Sequence, residues 1–243
     1  MYGRQILGIF SPEVLLGRGL GLLIGFTLHE WAHAWAAYRL GDRTAYYQGR
    51  LTLDPRAHID PMGILLALFA GFGWAKPVPV NPRAFYPHEK QGLTIVSLAG
   101  PLMNLLIAAA GGVLVRLMAL SGMVERTTGV LLGGGLVQYG AGANGFFDFL
   151  YGVLGTVIIF NLVLFLFNLL PLAPLDGYKI AVGVLPPEYS NWFVRHERET
   201  TFVLLMLLMV GLISPQFNIL WGVLGPPLDW LYQMLAGLYP VFG

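Results

Sequence analysis

Residues 147–172 read FDFLYGVLGTVIIFNLVLFLFNLLPL, and this apolar stretch decides the fold class. Crossing the hydrocarbon core of a bilayer takes about 20 helical residues, so the stretch is long enough to span a membrane as one helix. Two further apolar runs are also long enough, at 12–38 and 92–120. Three others are shorter or are interrupted by prolines, at 61–74, 199–214 and 217–240. The pattern predicts an all-α polytopic membrane protein with about five to six transmembrane helices.

The composition excludes an ordinary soluble domain. Charged residues make up 11% of the chain, whereas soluble proteins average about 25%, and the mean hydropathy is +0.66. A soluble protein needs polar groups on its outside, and a chain that is 56% hydrophobic cannot supply enough of them. The net charge of +1 gives no electrostatic case for a nucleic-acid partner. Because cysteine is absent, disulfides, iron–sulfur clusters and thiolate zinc sites are excluded.

Two short stretches are expected to interrupt the pattern of long helices. The 61–74 run is too short for a comfortable span, which favours a re-entrant or interfacial element. The segment 73–82 alternates prolines with Val78 and Val80, which indicates a small extended or β element. The sequence shows no internal repeat, so we expect a single membrane-embedded domain over residues 1–243.

Basic residues are unevenly distributed over the polar connectors. The connectors 39–60, 75–91 and 178–198 carry several Arg and Lys residues each, whereas 121–146 holds only Arg126. The positive-inside rule therefore places the first three connectors in the cytosol and 121–146 outside.

This orientation brings two polar motifs to a similar depth. Helix 12–38 would run inward, so His29 and His33 would lie toward its cytosolic end. Helix 147–172 would also run inward, so Asp176 would lie just beyond its cytosolic end.

The segment His29-Glu30-Trp31-Ala32-His33 has the spacing of a metal site. Positions i and i+4 share one face of a helix, so His29 and His33 can bind one ion, and Glu30 beside them can serve as a base. A chance pattern in a helix is the alternative. Two histidines and a glutamate are costly to bury in an apolar helix without partners, which favours the functional interpretation.

A catalytic zinc site needs a third protein ligand. His58, His88 and His196 all lie in polar connectors, where solvated loop positions are expected. Asp176 directly follows a predicted span, after two helix-breaking prolines and before Gly177. A plain turn is the alternative for this Asp-Gly pair, but its predicted depth matches that of the two histidines.

Three ordered motifs resemble the site-2 protease family of intramembrane metalloproteases. They are His29-Glu30-x-x-His33, the segment 98–104 that reads LAGPLMN, and the segment 168–177 that reads NLLPLAPLDG. The resemblance implies Zn²⁺ bound by His29, His33 and Asp176, with Glu30 as the general base. It also implies that Asn168 helps to orient the substrate, although an interhelical hydrogen bond would explain this residue equally well.

The resemblance also implies an activity and a location. The chain would hydrolyse peptide bonds within or near transmembrane helices, in regulated intramembrane proteolysis or remnant signal-peptide cleavage. It resembles a compact prokaryotic branch without PDZ or CBS domains, and Tyr178 stands where many members have a second glycine. We expect an integral protein of the prokaryotic inner membrane, with its active site toward the cytosol. A transmembrane protein substrate and the lipid bilayer would be its partners.

Two other functional classes fit parts of the pattern. Intramembrane His and Glu also line the pathways of metal-ion transporters, which typically place ligands on several facing spans. A non-catalytic membrane scaffold would not need an intact H-E-x-x-H motif. The sequence does not define an oligomeric state.

Overall fold

The computed structural model describes residues 11–70, 73–123, 145–214 and 218–237, and every regular element in these ranges is helical. The α-helices are α1 (Pro12–Arg39), α2 (Thr44–Tyr47), α3 (Pro61–Ala70), α4 (Glu89–Leu120), α5 (Gly145–Asn168), α6 (Asp176–Val184), α7 (Pro187–Arg195), α8 (Glu197–Ile213) and α9 (Ile219–Ala236). Two 3₁₀ turns lie at Pro55–Ala57 and Pro82–Phe85. The predicted all-α class is therefore confirmed for the described residues.

In the part of the chain that the structure describes, two helices, α4 and α5, are long and apolar enough to cross a membrane. Only 39% and 44% of their most apolar windows are buried inside the protein. A core helix of a soluble protein would be mostly buried, so these exposed apolar faces fit lipid as their surroundings. The larger count of five to six spans stays a prediction.

The prolines in the last apolar run do not interrupt its helix. Pro226 and Pro227 both lie inside α9, which continues for nine residues beyond them, to Ala236. Proline removes one backbone donor and bends a helix, but in a membrane protein neighbouring groups can satisfy the freed carbonyl. Reading these two prolines as helix interruptions was therefore wrong.

The predicted extended segment lies between α3 and the second 3₁₀ turn. Its backbone pairs with the preceding connector through an isolated antiparallel bridge between Ile59 and Ala75, and Lys76 N donates to His58 O at 2.7 Å. No β-strand occurs in the described part of the chain, so the segment is extended without forming a sheet.

The chain divides into two compact units. Of the described residues, the first comprises 11–25, 105–123, 145–163 and 221–237. Its helices pack through glycines: a Cβ on Gly17 would lie 2.5 Å from Thr156 Cβ, and one on Gly112 would lie 2.6 Å from Leu235 O. Small residues that let backbones approach closely are typical of helix packing in membranes.

The second compact unit comprises the described residues of 26–104 and 164–220, that is 26–70, 73–104, 164–214 and 218–220. Ala36 and Ala37 of α1 form a buried cluster with Phe85 and with Val96 of α4. This packing fixes the C-terminal half of α1, which carries the H-E-x-x-H motif, against the N-terminal half of α4.

The buried Asp42 strengthens the same unit just after α1 ends. Its carboxylate accepts hydrogen bonds from Thr44 N at 2.9 Å and from Asn81 N at 2.7 Å. The end of the extended segment is thereby tied to the end of the motif helix.

Candidate metal centre

The motif side chains lie on one buried face of α1. His29, Glu30 and His33 are 7%, 8% and 8% exposed, and the imidazole Nε2 atoms of the two histidines are 3.0 Å apart. The i, i+4 spacing in an α-helix produces this convergence, as the sequence predicted.

Asp176 reaches the two histidines from the first position of α6. Its Oδ2 atom lies 3.1 Å from Nε2 of His29 and 3.1 Å from Nε2 of His33, and the residue is 5% exposed. The three ligand-type atoms all lie within 4.8 Å of one another. The structure therefore brings together the three residues that the sequence singled out as metal ligands.

Gly177 allows this position of Asp176. A Cβ at residue 177 would lie 2.3 Å from the carbonyl oxygens of Leu169 and Leu170. The turn between α5 and α6 folds back so tightly that a side chain here would strike its backbone. Glycine is needed here because the backbones approach closely. Its φ angle is not in the left-handed region, which among the described glycines is adopted by Gly41, Gly49 and Gly122.

The partners of the other imidazole nitrogens decide where the protons are. Nδ1 of His33 lies 2.7 Å from Val96 O, and Nδ1 of His29 lies 2.6 Å from Asn104 Oδ1. A carbonyl oxygen can only accept, so each Nδ1 carries the hydrogen and donates it. In the neutral rings both Nε2 atoms then present lone pairs, as metal ligands must.

Three lone-pair acceptors at 3.0 to 3.1 Å repel one another unless a cation lies between them. Zinc bonds to nitrogen and oxygen measure about 2.0–2.1 Å, which puts tetrahedral ligand atoms about 3.3 Å apart. The observed distances of 3.0 to 3.1 Å are slightly shorter, so small outward movements of the three ligand atoms would admit such an ion. Three protein ligands also leave the fourth position that a catalytic zinc site requires.

The second oxygen of Asp176 has its own partner. Lys179, one helical turn later, places Nζ 3.2 Å from Asp176 Oδ1, so the carboxylate presents Oδ2 alone to the histidines. Burial raises the pKa of this carboxyl, which lies beyond the end of α5. When the facing imidazoles of His33 and His29 carry protons on Nε2, they outweigh burial and hold the pKa of Asp176 well below its ordinary value; a bound cation would act on the carboxyl in the same direction. The carboxyl is thus kept as the carboxylate that a metal needs.

One face of α4 is shaped to receive the two imidazoles. Val96, Gly100 and Asn104 follow one another at i, i+4 and i+8, and all three are buried. A Cβ on Gly100 would lie 2.4 Å from Nε2 of His33 and 2.6 Å from Nε2 of His29. The absence of a side chain at residue 100 therefore makes room for the ligands, while the residues one turn away on either side accept their hydrogens.

Glu30 points to a backbone amide. Its Oε2 accepts a hydrogen bond from Val78 N at 2.8 Å, so the extended segment lies beside the motif. The sequence indicated the extended segment and the glutamate separately, but nothing in their spacing predicted that they touch.

The remaining candidates have different surroundings. Asn168 ends α5 and donates from Nδ2 to Leu164 O at 2.9 Å, a bond within its own helix, so its role stays a prediction. His88 is exposed and His196 is partly exposed. For His58 the expected solvated position was wrong, because this residue is fully buried and its Nε2 lies 2.8 Å from Thr52 O.

Sequence reasoning missed four groups around the ligands. They are Val96, Gly100, Asn104 and Lys179. Gly100 and Asn104 belong to the segment that carries the family resemblance, and their i, i+4 spacing after a buried run was the available signal. The carbonyl of Val96 leaves no trace in the sequence, since any residue supplies one.

The chain has relatives among known proteins. Residues 19–213 match the model of Peptidase family M50. A Bacillus subtilis protein named "Putative zinc metalloprotease YwhC" is 41% identical over 218 residues, which cover 90% of each chain. A Mycobacterium tuberculosis protein named "Putative zinc metalloprotease Rip2" is 29% identical over 225 residues, covering 88% of this chain and 72% of the relative. No solved structure matches the chain.

The matched region contains His29, His33 and Asp176, and the chain belongs to Peptidase family M50, the site-2 protease family. It is an intramembrane zinc metalloprotease. The family resemblance of the sequence is thereby confirmed, together with the enzyme class and zinc as the cofactor.

Proposed function

We propose that His29, His33 and Asp176 bind the catalytic zinc and that Glu30 is the general base. The observation that supports this assignment best is the convergence of two imidazole lone pairs and one carboxylate oxygen at 3.0 to 3.1 Å. Hydrogen bonds from both Nδ1 atoms to carbonyl oxygens fix that arrangement.

The chain's own residues would then move the proton. His29, His33 and Asp176 would hold the zinc, which when bound would supply Lewis-acid polarisation of the scissile carbonyl and a lowered pKa, toward about 7, for the attacking water. Glu30 takes a proton from the attacking water and delivers it to the leaving amine. The hydrogen bond from Val78 N to Oε2 holds the carboxylate in one orientation, which leaves Oε1 for the proton.

The substrate we propose is a transmembrane protein that is cut within or near its membrane helix. Peptide bonds in such a helix are shielded by their own hydrogen bonds, so the helix must unwind locally before attack. The extended segment 73–81 lies beside Glu30 and could take the unwound strand by edge pairing. Asn168 would help to orient that strand.

For the membrane arrangement we propose about five to six transmembrane helices in one domain, residues 1–243. The basic connectors support an active site toward the cytosol, in the inner membrane of a prokaryote. Regulated intramembrane proteolysis and remnant signal-peptide cleavage are both compatible with this arrangement. Neither the family nor the relatives support the alternative of a metal-ion transporter.

The test compares purified wild type with Glu30→Gln and Asp176→Asn, by zinc content and by cleavage of a single-span membrane reporter. Glu30→Gln should keep zinc and lose about 10²- to 10⁴-fold in cleavage rate, because the proton acceptor is gone while the ligands remain. Asp176→Asn should weaken both zinc retention and cleavage. The matched control is Glu188→Gln, which changes an exposed glutamate on α7 and should leave both unchanged.

Normal cleavage by Glu30→Gln would refute the assignment of the base. Full zinc retention by Asp176→Asn would refute the third ligand. Zinc flux into liposomes without proteolysis would favour transport instead.

A further inference from the structure

A buried arginine lies close to the proposed base without touching it. Arg50 is 7% exposed, and its guanidinium donates from Nη2 to Lys76 O at 2.6 Å and from Nη1 to Pro77 O at 3.1 Å. Within the described residues no carboxylate forms an ion pair with it. A buried cation without a direct counter-ion is costly, so its position calls for a functional reason.

The negative charge of Glu30 offsets part of the cost of burying Arg50. Burial lowers the pKa of the Arg50 guanidinium, and the negative charge of Glu30 raises it. The charge of Glu30 therefore reaches Arg50 across the backbone that separates the two side chains.

That backbone is a single peptide group. The oxygen of the Pro77–Val78 peptide accepts from Arg50, and the N–H of the same peptide donates to Glu30 Oε2 at 2.8 Å. A cation at the oxygen draws electron density away from the nitrogen, so its N–H becomes a stronger donor. The alignment joins the guanidinium, the peptide and the carboxylate in one chain of hydrogen bonds.

The local sequence makes this peptide the one available connection. Pro77 and Pro79 have no N–H, so Val78 carries the only amide hydrogen of the three residues. Both prolines also favour extended backbone at the residues before them, which keeps the peptide out of a helix. Arg50 itself follows Gly49, whose φ of +67° closes the turn after α2.

We propose that Arg50 is a positioning residue for hydrolysis: through the Pro77–Val78 peptide it holds the Glu30 carboxylate in the orientation needed for proton transfer. The inference rests on the proposed role of Glu30 as the base. The hydrogen bonds of the Arg50 guanidinium go to the carbonyls of Lys76 and Pro77 and not to a proposed zinc ligand, so its effect reaches Glu30 through the peptide. Without the guanidinium, the peptide and the carboxylate gain freedom to turn, and a misplaced base is a slower one.

The experiment uses the full-length protein in detergent with a reporter that has one transmembrane helix, destabilised by Gly and Pro near its middle. Arg50→Gln should lower kcat by about 10- to 100-fold, with KM within about twofold and zinc content unchanged. Arg50→Lys should recover part of kcat, because an ammonium keeps the charge but lacks the planar fork that reaches both carbonyls. The matched control is Arg56→Gln, an arginine in the same connector whose side chain is 93% exposed and which should behave as wild type.

A second pair of variants tests the peptide itself. Val78→Pro removes the N–H, whereas Val78→Ala keeps it and loses nearly the same side-chain contacts. The loss of kcat for Val78→Pro should exceed that for Val78→Ala by at least about 10-fold. Adding Arg50→Gln to Val78→Pro should cost little more, because both changes break the same chain.

A readout without substrate separates positioning from folding. In Arg50→Gln the Val78 amide should exchange its hydrogen at least about 10-fold faster, while the amides of α1 and α4 keep their protection. Loss of protection throughout both helices, or loss of zinc together with kcat, would overturn the proposal in favour of a purely structural Arg50.

Three kinetic outcomes would also overturn it. They are wild-type kcat in Arg50→Gln, full multiplication of the two losses in the double variant, and equal kcat in Val78→Pro and Val78→Ala. If Glu30→Gln is inactive while Arg50→Gln is normal, the positioning proposal alone fails. If Glu30→Gln is active, the proposed base itself is wrong.

Discussion

Replacing Gly100 by alanine should expel zinc from the protein. The new Cβ would lie 2.4 Å from Nε2 of His33 and 2.6 Å from Nε2 of His29, and real Cβ contacts essentially never fall below 3.0 Å. At least one imidazole must therefore retreat by about 0.6 Å, whereas zinc–ligand bonds tolerate only about 0.2 Å. We expect zinc affinity to fall by more than about 100-fold, beyond the effect of losing an outer hydrogen bond.

The substitution should stabilise helix α4 even as it weakens zinc binding, so the two effects can be told apart. Alanine is favoured over glycine inside a helix by about 1 kcal/mol, so loss of zinc could not be blamed on a weakened α4. The matched control is Gly19→Ala in α1, the helix of the histidines, where a Cβ would meet nothing within 4 Å. This control should keep one zinc per chain.

Zinc per chain after timed exposure to EDTA is the measurement, with helix content followed by circular dichroism. Gly100→Ala should lose zinc in the time that wild type and Gly19→Ala retain it, at unchanged helix content. If Gly100→Ala resists the chelator as well as wild type does, then α4 does not confine the imidazoles and our account of this face is wrong.

Three further predictions concern the groups that surround the ligands. Asn104→Leu removes the acceptor for the His29 Nδ1 hydrogen and should weaken zinc binding by about 10- to 100-fold. Asn104→Asp keeps an acceptor and should lose less zinc affinity, so equal zinc retention by the two variants would contradict this role of Asn104. Lys179→Met removes the partner of Asp176 Oδ1 and should lower zinc affinity by less than about 10-fold, because the lysine side chain is 44% exposed and water replaces part of its interaction. Competition with a fluorescent zinc chelator measures this affinity, and a larger loss would contradict the prediction. Removing zinc with 1,10-phenanthroline should abolish cleavage and lower Tm, because three hydrogen-bond acceptors are then left facing one another. Added Zn²⁺ should restore both cleavage and Tm. An unchanged Tm would mean that the site is stable without an ion.

Much of the fold class followed from simple periodicities. Apolar runs at 12–38, 92–120 and 147–172 became α1, α4 and α5, with ends that differ by up to four residues. The largest difference is at the end of α5, which stops at Asn168 because Pro171 and Pro174 follow. Hydrophobicity fixes how much helix a chain forms, but the ends depend on local turn geometry.

His58 shows where composition misleads. A histidine in a connector between Arg56 and Asp60 is expected to be solvated, yet it is fully buried and anchors the backbone at Thr52. The connector folds on itself, pairs with the extended segment at Ala75 and so encloses the ring. Such burial depends on contacts between distant residues, which no local window of sequence reports.

The sequence by itself determined the chemistry of this protein: the apolar runs require a membrane, and the i, i+4 histidines with Glu30 require only that α1 be a helix. Asp176 was found because proline and glycine mark a sharp turn at a predicted depth. Only the tertiary structure decided what surrounds these residues, namely the α4 face at Gly100 and the peptide between Arg50 and Glu30. Helical periodicity is a property of neighbours along the chain, whereas a backbone carbonyl, an amide hydrogen or an absent side chain gains a role only when packing brings another segment against it.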